Sequence, residues 1–73
     1  MSLLERLKPE YLKMIKAEEY MYPYSSKKIQ IELAEINNWV DIKYSTVVYL
    51  VSILKINDYS PSAIDKLFTN ENS

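Results

Sequence analysis

Glu32 and Glu35 stand three residues apart, a spacing that places two carboxylates on one helix face and could hold a hard cation. Two carboxylates without further ligands are far more often solvated surface charge. Ser25 and Ser26 precede Lys27 and Lys28, but the chain contains no histidine and no cysteine. Nothing therefore supplies a nucleophile–base pair or the soft and imidazole ligands of a zinc site. There is no glycine either, so no glycine-rich loop can wrap a phosphate. The sequence thus points away from an enzyme: no catalytic residue, metal site or cofactor is expected. What remains is chemistry of contact. Tyr20, Tyr22 and Tyr24 lie within five residues around Pro23, and tyrosine offers a broad amphipathic surface at small entropic cost. These rings either grip a partner or stack on bases, or they form an interhelical corner with the rings packed inward and the hydroxyls wet. The packed corner is the slightly favoured reading.

The elements that must position these groups belong to a small domain. Seventy-three residues with net charge −1 form one domain, expected over residues 1–69 with a frayed tail at 70–73. A chain of this size buries only about 60% of its unfolded surface. Without cysteine it has no disulfide to hold it, so self-association is the most accessible support. Residues 1–31 carry six basic and four acidic groups, whereas residues 32–73 carry three and six. The first ten residues hold four charges, which leaves no room for the apolar core of a secretory signal. The longest apolar run falls far short of the roughly 20 residues that span a bilayer. A cytoplasmic protein that does not enter the membrane is expected.

Proline, asparagine and serine punctuate the chain into four helical segments. Leu4, Leu7, Tyr11, Met14, Ile15 and Glu18 share one face of a first segment running to about Tyr22. Pro9 suits a first turn, so residues 2–7 read as a separate short turn before a helix that begins near Lys8. The second segment, 26–37, carries Ile29, Leu33 and Ile36, with Val40 four residues on. Ile29, Ile31 and Leu33 also alternate, so residues 27–33 admit an alternative reading as the ribbon strand of a ribbon-helix-helix dimer. Ser26, Asp41 and Ser60 suit N-caps, and Asn37, Asn38 and Asn57 suit the left-handed positions that glycine would otherwise fill. Ser60 with Pro61 opens a short, half-buried fourth helix ending near Phe68.

The third segment, KYSTVVYLVSILKI from Lys43 to Ile56, is decisive. At 100° per residue, Ser45, Val48, Ser52 and Lys55 gather into one narrow wedge, and apolar residues fill the remaining arc. As a strand it would show two apolar faces, with too little chain left to cover both. The segment is therefore predicted to be a central helix that must be surrounded. Either its neighbours cover it completely, or Tyr49, Ile53 and Ile56 remain available to a partner or a second copy.

ELAEI, from Glu32 to Ile36, followed by YSTVVYL and ILKIND, resembles helix-turn-helix and winged-helix regulators. In those, a supporting helix carrying E-L-A precedes a recognition helix of S-T-V type. LLERLKPEYLKMI is similar to the first helix of the DNA-binding region of sigma factors, and YSTVVYL with SPSAIDKL to late-transcription coactivators of tailed phages. The resemblance covers most of residues 3–58. It implies an all-α, compact four-helix domain of helix-turn-helix type. DNA contacts by this analogy fall on Lys43, Tyr44, Ser45, Thr46, Tyr49 and Ser52. The chain departs from the pattern in three places. The Ala34–Val47 interval is about three residues longer than in the tight motif, Asn37 and Asn38 replace the turn glycine, and a helix follows Ile56 where a wing would have strands. Only Lys43 in the DNA set is basic, which disfavours nucleic acid as the partner. The leading expectation is a transcription-associated protein-interaction module that forms a homodimer or binds another protein. A dimeric DNA-binding regulator and a small assembly subunit of a virus or complex are the alternatives.

Overall fold

The computed structural model describes residues 1–69; the expected frayed tail lies outside the described residues. The fold is all-α, with helices α1 (Leu3–Arg6), α2 (Pro9–Glu18), α3 (Pro23–Glu35), α4 (Tyr44–Leu54) and α5 (Pro61–Asp65), and a single 3-10 turn at Trp39–Asp41. Among the described residues there is no strand, only an isolated antiparallel bridge between Leu7 and Phe68.

Pro9 divides the N-terminal region as its chemistry requires. Ser2 caps α1 by accepting the Glu5 N–H, and α2 then starts with Pro9 in its first turn. The inward side of α2 is Ile15, fully buried, flanked by Tyr11 and Leu12, which are half-buried against the core. Met14, expected on this face, points outward because the buried arc is centred nearer Ile15. The helix also ends at Glu18, before the expected Tyr22, in a turn where the Met21 and Tyr22 N–H groups both donate to the Glu18 carbonyl at 3.0 and 2.7 Å.

Pro23 changes the start of the next helix. It occupies the first turn of α3, where its fixed φ is already helical, and so draws the helix start three residues upstream of the expected cap at Ser26. Ser26 is inside the helix and fully buried. Residues 27–33 are helical, so the ribbon reading does not hold. Ile29 and Leu33 are buried while Ile31 is 50% exposed, a period of 3.6 and not of two. Val40 leaves the apolar stripe, 59% exposed, because α3 has already ended at Glu35.

The expected use of asparagine is corrected as well. Asn38 is extended and its Oδ1 accepts the Val40 N–H, which caps the 3-10 turn and places Asp41 inside that turn, not at the start of α4. The left-handed residue is Lys55, at φ 57°, directly after α4. Its N–H and that of Ile56 both donate to the Val51 carbonyl, closing the helix before Asn57 is reached. Ser60 and Pro61 open α5 as their types dictate: the Ser60 hydroxyl accepts the Ala63 N–H, and Asp58 receives the Ser60 N–H at 2.8 Å and its hydroxyl at 2.9 Å. α5 itself stops at Asp65, short of Phe68, and Leu67 and Phe68 turn inward.

The core is formed by Leu3, Leu7, Ile15, Ile29, Leu33, Leu50, Leu54, Ile64, Leu67 and Phe68. α1 packs on α3, and α2 packs on both α3 and α4. Three backbone hydrogen bonds fasten the N-terminal region to distant segments: Leu3 N–H to Ile36 O, Lys8 N–H to Leu67 O, and Thr69 N–H to Arg6 O. No helix of the described residues is long and apolar enough to cross a membrane.

Candidate functional site

α4 buries Thr46, Leu50 and Leu54, and exposes Ser45 and Ser52, with the exposed Lys55 just beyond its end. Val47, Val48, Tyr49, Val51 and Ile53 are half-buried. The predicted polar wedge is thus in place, and Val48, which lies within it between Lys55 and Ser52, is its one apolar member and is half-buried. The central helix is neither sealed nor laid open. Tyr49, Ile53 and Ile56 all pack against the core while keeping part of their surface in solvent.

Two of these three residues meet the tyrosine corner. Tyr49 and Ile53 from α4 line a shallow hollow of about 320 Å³ with Glu18, Tyr22, Ser52 and Lys55. The hydroxyl of Tyr49 is buried without a hydrogen-bond partner among the described residues. Burial, with the nearby Glu18 carboxylate and the Tyr22 phenol, pushes the Tyr49 phenol above its ordinary range. Ile56 lies past the end of α4 and does not line this hollow.

The corner between α2 and α3 does not pack its rings inward. Tyr20 is 94% exposed, Tyr24 is 88% exposed, and Met21 and Tyr22 are also more than half exposed. The tight turn after Glu18 and the immediate start of α3 at Pro23 leave no second layer of chain to cover them. Tyr24 belongs to a different surface from Tyr22. It lines a hollow on the outer side of α3 with Lys27, Lys28 and Ile31.

The residues assigned to DNA by analogy are divided by burial. Lys43, Tyr44, Ser45 and Ser52 are exposed, Tyr49 is half-buried, and Thr46 is buried. The start of α4 is held by Glu32 of α3, whose carboxylate accepts the Lys43 backbone N–H at 2.9 Å and the Thr46 hydroxyl. Burial works against ionisation of Glu32, but those two hydrogen bonds, with the charges of Lys43 and Lys28, outweigh it and hold the carboxyl below its ordinary value. The Glu32 carboxylate is thus engaged at the start of α4. Among the described residues no three His, Cys, Asp or Glu side chains are placed so that they could hold a metal ion.

Sequence reasoning missed Glu32 as the cap of α4 because the two bonds span eleven and fourteen residues, a separation with no local pattern. It also missed the outer hollow at Ile31, whose exposure follows only once residues 27–33 are known to be helical. No protein family, curated protein or solved structure matches this chain.

Proposed function

We propose that this chain is a non-enzymatic helical protein-interaction module, acting in transcription control, whose contact surface is the tyrosine corner together with the open edge of α4. The observation that carries this reading is the convergence of Tyr22 with Tyr49 and Ile53 in one hollow, with the exposed Tyr20 and Met21 directly before Tyr22 in the chain and Tyr20 lining a second hollow with Lys16, Ala17 and Glu19. Exposed aromatic and methionine side chains beside a half-buried apolar floor have the composition of interface centres. The transcriptional context comes from the resemblance to helix-turn-helix regulators and phage coactivators.

Pull-down with the full chain as bait, compared with a Tyr20→Ser/Tyr22→Ser variant, tests it. Both side chains are exposed, so the variant keeps its fold by circular dichroism and loses specific protein capture. Equal capture by both chains rejects the corner as the contact surface.

Direct DNA binding through the start of α4 is the second reading, favoured by the exposure of Lys43, Tyr44 and Ser45. Against it, Glu32 brings a carboxylate to the α4 N-terminus, where a phosphate would otherwise sit. An anisotropy titration with duplex DNA at low and moderate salt separates the two. Tight binding with a steep salt slope, weakened by Lys43→Glu, supports DNA; no binding at low salt removes it.

A further inference from the structure

The outer face of α3 carries a pattern that fits a second copy of itself. At 100° per residue, Tyr24, Lys27, Lys28, Ile31 and Glu35 fall within one arc of roughly 100°, opposite the buried Ser26, Ile29 and Leu33. Tyr24 and Ile31 are the apolar members and both face solvent, at 88% and 50% exposure. Charge is ordered along the strip, with Lys27 and Lys28 before Ile31 and Glu35 after it. Glu32, Glu35 and Asp41 line a hollow at Ile31, in company with Lys28 and Lys43. None of Lys27, Lys28 and Glu35 makes a side-chain hydrogen bond among the described residues.

We infer that α3 pairs antiparallel with α3 of a second copy about a two-fold axis near Ile31. Such an axis brings each residue opposite the one equally far on the other side, so Lys27 of one copy meets Glu35 of the other, twice. A parallel pairing would set lysine against lysine and glutamate against glutamate, which is repulsive. Ile31 sits at the centre, where the two strips approach most closely. The apolar groups supply the association and the charges fix its direction, because exposed ion pairs contribute little on their own. A helix of this length, about 20 Å, offers much less than the roughly 800 Å² per partner of a stable interface. The dimer is therefore weak and concentration-dependent. It does not depend on what occupies the tyrosine corner.

Sedimentation equilibrium from about 10 µM to about 1 mM reads the association directly. The wild-type chain moves from monomer to dimer across this range. Lys27→Glu and Glu35→Lys, each an exposed substitution, remain monomeric alone, and their equimolar mixture dimerises at least as well as the wild type, because every like-charge contact between these positions becomes an opposite-charge one. A cysteine placed at the axis gives a second readout in a chain that has no cysteine of its own. The Ile31→Cys chain oxidises readily to a disulfide-linked dimer, whereas Tyr20→Cys does not. A wild-type chain that stays monomeric at about 1 mM, variants that dimerise unchanged, or a mixture that fails to recover overturns the pairing. Preferential cross-linking at Tyr20→Cys also overturns it, by moving self-association to the tyrosine corner, and leaves the interaction-module reading standing.

Discussion

The Glu32 carboxylate on α3 accepts the Thr46 hydroxyl and the neighbouring Lys43 backbone N–H, so a side chain from one helix caps the start of another. α4 has no cap residue of its own, since Lys43 at that position makes no side-chain hydrogen bond to the helix. Replacing Glu32 by Ala is expected to lower stability by about 1–2 kcal/mol, the scale of losing an N-cap acceptor. Urea midpoints of the two proteins check this.

The same contact gives a pH dependence. The folded-state pKa of Glu32 is depressed below 4.5, so its stabilisation is fully present above pH 4.5 and is lost as pH falls through the folded value. Urea midpoints of the wild type followed downward from neutral pH fall more steeply than those of Glu32→Gln, which cannot titrate. Parallel curves for the two proteins would rule out the assigned shift.

Tyr49 keeps a buried hydroxyl without a partner among the described residues. Tyr49→Phe removes the polar atom and keeps the ring, so stability is expected to rise by about 1 kcal/mol in urea titration. The raised phenol pKa adds an alkaline signature: its contribution is complete below pH 10.0 and disappears as pH rises through the folded value. The Phe variant loses less stability than the wild type on that side.

Lys55 holds a left-handed backbone without being glycine. Lys55→Gly relieves that conformation at the end of α4 and is expected to stabilise by about 0.5–1 kcal/mol. Thermal unfolding of the two proteins measures it.

Phe68 is 4% exposed and pairs through its backbone region with Leu7, closing the chain on itself. Phe68→Ala is expected to cost about 3–5 kcal/mol. In a domain with total stability on the order of 5 kcal/mol, this leaves little margin. The amides of Lys8 and Thr69, which donate to Leu67 and Arg6, should lose hydrogen-exchange protection first. Retained protection there would show that the closure does not rest on Phe68.

Sequence alone determined the features that depend on a few neighbouring residues. Pro9 split the first segment, Ser60 and Pro61 opened α5, and the spacing of Ser45, Ser52 and Lys55 made the middle stretch a helix with one polar edge. Proline geometry, cap hydrogen bonds and a 3.6-residue period act over one or two turns, so they are legible in order along the chain. Where two local signals competed, the sequence misjudged: Pro23 overrode Ser26, and Lys55 overrode Asn57.

Only the tertiary structure decided which faces are covered. It turned the rings of Tyr20 and Tyr24 outward, joined Tyr22 to Tyr49 and Ile53, set Glu32 against Thr46 and closed Leu7 on Phe68. Each of these outcomes joins segments far apart in sequence or depends on whether another element lies above a given surface. Burial is a property of the assembled packing, and no local period encodes it.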